Sequence, residues 1–211
     1  MRDAAPIILL LVVLSDLAIL GTSRLSSCIR GLAAQGFLLG LLPVLIAPQL
    51  SVHAVSLAVG TVIVKGVALP WFLSWAIREA AVRREIEPIV GFIASQLLGA
   101  LAVALAFAIA SRLPLHTVQP LLVPVSLATL MIGFIVLTTR RKALVQVVGY
   151  VILENGVYLF GLTQTESVPF LIELGVLLDV FVGVFIMGIV VFHINREFDS
   201  LDATRLTELT D

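Results

Sequence analysis

Cysteine is almost missing from this chain. Its one copy, Cys28, permits no internal disulfide and no CxxC site for a metal or an iron–sulfur cluster. Charge is scarce too: 13% of the residues are Asp, Glu, Lys or Arg, against about 25% in a soluble domain. The net charge of −1 leaves no basic excess that would point to nucleic acid. No Gly-rich phosphate loop follows a strand, and neither GxSxG nor HExxH occurs. His53, His116 and His193 lie near the ends of apolar runs, and no two share a helix face, so no metal site is expected within the chain. Alternating ten-residue segments of the outer-membrane barrel type are missing as well. The chain is therefore expected to carry no cofactor, no metal and no catalytic centre of its own.

What it has in quantity is apolar sequence: 60% of the 211 residues are hydrophobic, and the mean hydropathy is +1.13. These fall into seven runs of membrane-crossing length, drawn as Ala4–Gly21, Ser26–Ala47, Val52–Trp75, Pro88–Ser111, Thr117–Thr138, Ala143–Gly161 and Val168–His193. The predicted fold is an all-α polytopic membrane helix bundle of about seven transmembrane helices. Pro48-Gln49 and Leu113-Pro114 punctuate turns, while Pro88 and Pro169 suit first helical turns. Pro43, Pro120 and Pro124 are expected inside spans as tolerated kinks.

Lysine and arginine set the orientation. Arg24, Arg30, Arg78, Arg83, Arg84, Arg140, Arg141, Lys142, Arg196 and Arg205 fall on one side of such a bundle, and Arg2 and Arg112 on the other. That asymmetry puts the N-terminus outside and the C-terminus in the cytoplasm. A signal peptide would place positive charge before its apolar run. Here Met1-Arg2-Asp3 has no net positive side chain and Arg24 and Arg30 follow, so Ala4–Gly21 reads as a first transmembrane helix. The polar stretch from Asn195 to Asp211 reads as a short cytoplasmic extension.

Against this background two carboxylates stand out. Glu154 and Asp179 each sit about eleven residues into the sixth and seventh runs, which a short link makes antiparallel. At about 1.5 Å of rise per residue both fall near mid-depth, where an ionisable group costs about 2.5–3.5 kcal/mol on insertion scales. A carboxyl that can take up a proton and pass it on is what a relay needs. Lys65, about thirteen residues into the third run, is too deep to snorkel. It is read as a proton-path lysine paired with Glu154, with Asp179 or with an acid of a partner chain, a structural ion pair being the other reading. Asp16 and Glu173 are shallower and are read as structural or interfacial, with Glu173, Asp16 and Asn155 as secondary points of the path; Asn155, Gln35, Gln96 and Gln146 are read as helix–helix hydrogen-bonding points. Gly149, Gly156 and Gly183 are expected to let helices approach closely.

The sixth and seventh runs resemble a known family. The segment Arg140–Gly161 with its Glu154-Asn155-Gly156 motif, and the segment Pro169–Gly188 with Glu173, Gly175, Asp179 and Gly183, resemble hydrogenase-4 component E. The third run, with His53, Lys65 and Pro70, resembles that family too. The family is similar in its last three helices to the NuoK subunit of respiratory complex I and the MrpC subunit of multisubunit cation/proton antiporters. By that likeness Glu154 and Asp179 match two glutamates of a proton path, with Asp in place of the second. The resemblance implies a membrane subunit of a hydrogenase or complex I-like assembly in the bacterial inner membrane. Its partners would be antiporter-like membrane subunits and hydrophilic redox subunits. It implies an N-terminal four-helix region (1–112), a NuoK-like three-helix region (113–194) and a polar tail (195–211). A small subunit of a Na⁺/H⁺ antiporter, and a scaffold that conducts nothing, are the other readings.

The orientation is open to a direct check. A phosphatase fused after Asp211 is expected to stay inactive, and a fluorescent protein fused there to fold and glow. The reverse pair of results would invert the topology.

Overall fold

A computed structural model of the chain describes residues 4–47, 52–79, 89–113, 119–163, 175, 178–189 and 192. Among them the secondary structure is helical, with no strand. The elements are α1 (Ala4–Gly21), α2 (Leu25–Ile46), α3 (Val52–Thr61), a π-helical segment (Val62–Ala68), α4 (Leu69–Glu79), α5 (Phe92–Ala110), α6 (Leu122–Thr139) and α7 (Ala143–Thr163). A twelve-residue helix, α8 (Leu178–Ile189), follows. The π segment joins α3 and α4 into one continuous rod. Six helices, counting that rod as one, are long and apolar enough to cross a membrane. They match the first six predicted runs to within a few residues at most ends. The seventh run is described only as α8 and two single residues.

The structure moves some prolines. Pro120 precedes α6 and Pro124 lies in its first turn. The missing N–H of Pro124 therefore faces no carbonyl that needs it, and no kink is required. Helix α5 begins at Phe92 with Gly91 as its cap, and Pro88 lies outside the described residues. Of the three prolines expected inside spans, Pro43 is the one found beyond a first turn, in the last turn of α2, where the N–H of Ala47 still reaches its carbonyl.

Glycines bring the helices together where lipid offers no hydrophobic drive to do so. A Cβ at Gly133 on α6 would fall on the backbone of Leu153 on α7, one at Gly149 on that of Leu137, and one at Gly156 on Leu130. The two helices thus touch backbone to backbone along their length. Gly36 on α2 approaches the backbone of Lys65 and Gly66 in the same way. Gly183 departs from the expectation: nothing lies within 4 Å of where its Cβ would be.

Packing divides the bundle by depth. One apolar cluster holds Leu25, Ile29, Leu73, Ile132, Leu144, Val148, Val182 and Ile186, toward the end that carries Arg24, Arg78 and Arg140. A second holds Leu9, Val12, Leu39, Leu42, Val125 and Leu159, toward the opposite end. Between them along each chain segment lies one buried polar residue or more: Asp16 on α1, Gln35 on α2, Lys65 on the π segment, Thr129 on α6, Glu154 and Asn155 on α7, and Asp179 on α8. The outer faces are apolar. Ile93, Leu97 and Leu101 of α5 and Val180, Phe181 and Val184 of α8 are exposed, as surfaces that meet lipid or a partner must be.

The glycine contacts predict an unequal response to substitution. Gly133→Leu should cost about 1–3 kcal/mol or more by overpacking and lower the melting temperature in mild detergent. Gly183→Ala should leave it unchanged. Equal effects would mean that α6 and α7 do not pack as described.

Candidate functional site

The site begins with a break in helical register. Pro70 has no N–H, so the carbonyl of Gly66 cannot receive the usual bond from four residues on. The rod adapts by widening: the N–H of Leu69 reaches back five residues to the carbonyl of Val64, the spacing of a π turn. The widened turn carries Lys65, and Gly36 of α2 lies against its backbone. Helix α7 supplies Glu154 and α8 supplies Asp179.

These three side chains meet. The ammonium of Lys65 donates to Glu154 Oε2 and to Asp179 Oδ1, the latter at 3.1 Å. All three are buried: Glu154 completely, Lys65 at 5% and Asp179 at 8% exposure. The ammonium also lies 5.7 Å from the ring centroid of Tyr158, one turn beyond Glu154 on α7, within cation–π range. The Tyr158 hydroxyl is held by Thr61 Oγ1 at 3.0 Å, which ties α3 to α7 beside the ion cluster. The second carboxylate oxygen of Glu154, Oε1, is buried without a hydrogen-bond partner among the described residues. A single cation thus serves two carboxyl groups in a dry interior. One further proton shared among the three groups makes the cluster neutral, which is the cheapest state where charge is poorly solvated.

A second polar cluster sits on the other side of α7. Asp16 is fully buried, and both its oxygens are engaged: Gln35 Nε2 donates to Oδ1 at 2.6 Å and Thr129 Oγ1 bonds Oδ2 at 2.8 Å. Gln35 in turn accepts from Asn155 Nδ2 at 3.1 Å. Four helices, α1, α2, α6 and α7, are joined by three side-chain bonds. Asp16, read from the sequence as structural or interfacial and as a secondary point of the path, is in the core, where its partners lie on α2 and α6 and no periodicity within α1 reveals them. Glu154 and Asn155 are neighbours in sequence, so a helical step of about 100° aims one at the ion cluster and the other at the Asp16 cluster. Glu173, His116 and His193 lie outside the described residues, as does the side chain of His53.

Sequence reasoning missed Thr61, Tyr158 and Arg140. Tyr158 follows Glu154 by four residues, the spacing that stacks two side chains on one helix face, and was legible on that ground. Arg140 caps α6 yet is 2% exposed. It donates to the Leu20 carbonyl at 2.7 Å and lies 5.2 Å from the centroid of the Phe92 ring. It thereby stitches α1 and α5 to the α6–α7 corner.

Fold and site together define a multi-pass helical membrane protein with a buried ion cluster at the seam of three elements. The chain is 32% identical over 205 residues to an uncharacterised protein of Mycobacterium tuberculosis, covering 94% of this chain and 92% of that one. It is 29% identical over 149 residues to hydrogenase-4 component E of Escherichia coli and of Shigella flexneri, covering 70% of this chain and 69% of theirs. That likeness supports the resemblance to hydrogenase-4 component E carried by the sixth and seventh runs. No family model and no solved structure matches it.

The cluster predicts a charge-balance experiment. Lys65→Met leaves two acids without their cation and should destabilise the protein by about 3–5 kcal/mol, read as a lower melting temperature in detergent. Adding Glu154→Gln and Asp179→Asn to that variant should recover most of the loss. Failure of the triple variant to recover would mean that Lys65 matters for packing and not for charge.

Proposed function

We propose that the protein is a membrane subunit of a hydrogenase-type, complex I-like assembly and that its ion cluster forms part of a proton path. The reading rests on one observation: Lys65 bonds both Glu154 and Asp179 at once. Consider Glu154 protonated and Asp179 ionised. The Lys65 ammonium gives a proton to Asp179, and the amine so formed takes the proton of Glu154. One proton has then moved from α7 to α8, Glu154 is left ionised, and Lys65 ends as it began. Each hop runs along a hydrogen bond, and the shielded interior makes the exchange respond to a neighbouring charge.

The relay is short. Its groups share one depth, whereas the hydrocarbon layer is about 30 Å thick. Residues of adjacent antiporter-like subunits would complete the path, and the exposed apolar faces of α5 and α8 offer surfaces for them. The redox chemistry would belong to hydrophilic partners. The assembly would sit in the bacterial inner membrane, with the arginine-rich end in the cytoplasm. In this reading Asp16 and Asn155 are positioning residues that hold the rotation of α7. A Na⁺/H⁺ antiporter role fits less well, because a sodium ion entering this cluster would have to displace the ammonium that already fills it.

The test is proton translocation by the intact complex in inverted membrane vesicles. Glu154→Gln and Asp179→Asn should each lower the ratio of protons moved to turnovers at least fivefold, with the redox reaction still running when uncoupler is present. Normal translocation in both variants would leave the scaffold reading in place.

A further inference from the structure

A relay at one depth needs a way in. Helix α7 carries Gln146, Tyr150, Glu154 and Tyr158 at four-residue intervals, which is one polar stripe on an otherwise apolar helix. Its first turn follows Arg140, Arg141 and Lys142. Beside the lower half of the stripe lies a cavity of about 290 Å³, lined by Gln146, Tyr150, Leu137, Val147, Phe181 and Phe185. Gln146 is anchored there, its amide donating to the Arg140 carbonyl at 3.0 Å. Tyr150 stands one turn before Glu154 and within electrostatic range of both Glu154 and Asp179. At the upper end, Glu154 Oε1 is buried with no partner among the described residues, and a buried acceptor in that state calls for a water or a proton.

We propose that this cavity is a water-filled access route that connects the arginine-rich end of the bundle to Glu154, with Gln146 at its mouth and Tyr150 as the last protein group before the carboxyl. The inference deepens the proton-path reading and rests on it. The distances suit it: Gln146 to Tyr150 and Tyr150 to Glu154 are each about 6 Å along the helix axis, a gap that one or two waters bridge. The volume holds several waters, whose share of the liquid is about 30 Å³ each. The amide and the phenol supply the polar partners that such waters need, so the file runs along the α7 wall and not against Phe181 and Phe185. A dry cavity or one filled by a lipid chain is the opposite outcome.

The single cysteine makes the test simple. In a Cys28→Ala background, Gln146→Cys and Tyr150→Cys are introduced separately into the assembled complex, with lipid-facing Phe134→Cys as control. Vesicles of each orientation receive a charged, membrane-impermeant methanethiosulfonate reagent. The expected result is labelling at 146 and 150 from the arginine-rich side alone, at least tenfold faster than at 134. Labelling at 146 should also lower translocation at least fivefold below the rate of the same variant before treatment. Co-purification of the partner subunits reports that each variant has assembled, and where a cysteine variant does not assemble, Tyr150→Phe is read instead. It should assemble and slow translocation at least threefold, and an unchanged rate overturns the route. Failure of both cysteines to label, with Glu154→Gln still inactive, overturns the route and leaves the carboxylate relay standing. Labelling of both, with Glu154→Gln fully active, overturns the route and the relay together.

Discussion

Buried charge that must be balanced by buried charge governs this structure. One lysine and two carboxylates have been drawn out of water, and each would be untenable there alone. The bundle solves the problem by collecting them at one point on three separate elements. That demand fixes the face of α7 that turns inward, the register of the π segment and the position of Asp179. It also explains the layered interior. Apolar clusters above and below exclude water, and the polar residues of α1, α2, α6, α7 and α8 fall at the level between them. Buried polar side chains at other depths, Ser95, Ser126 and Arg140, bond backbone carbonyls instead.

The two clusters are not redundant. Asp16, Gln35, Thr129 and Asn155 form neutral or singly charged hydrogen bonds with no cation among them. Their geometry suits a clasp. Amides carry protons poorly, since passing one requires a high-energy tautomer, so this network suits locking four helices, and the proposed transfer involves only the acids and the amine. Glu154 and Asn155 share a peptide bond, and therefore any rotation of α7 that loosened the clasp would also swing the carboxyl from Lys65. Fixing the helix at one residue aims its neighbour.

Much of this could be read from the chain before folding. Lone acids in apolar runs announce themselves, and Glu154, Asp179 and Lys65 stood out because lipid penalises them. Helix limits followed the apolar runs for the same reason. Rotation did not. The helices are apolar nearly all round, so nothing in α1 alone says which face Asp16 presents or which helices supply its partners. Gly183 shows the same blindness: a small residue permits close approach but does not require it. The π turn had a signal in Pro70, whose missing N–H disturbs the turn before it. That signal says a helix must deviate, not whether by a kink or by a wider turn, and the choice here depends on α2 pressing Gly36 against the backbone.

The ion cluster also bears on how α8 is held. Its described outer face is apolar and exposed at Val180, Phe181, Val184 and Phe185, and its inward contacts are Val182, Ile186 and Asp179. In lipid, apolar contact between helices gains little over contact with acyl chains. The bond from Lys65 to Asp179 is therefore a large part of what seats α8 against the π segment. The carboxylate proposed to carry a proton is also the one that anchors a helix, so in that reading protonation of Asp179 and the seating of α8 are coupled. Polar anchoring at one depth, with slack apolar packing around it, is how a membrane bundle can keep a titratable centre without being pulled apart by it.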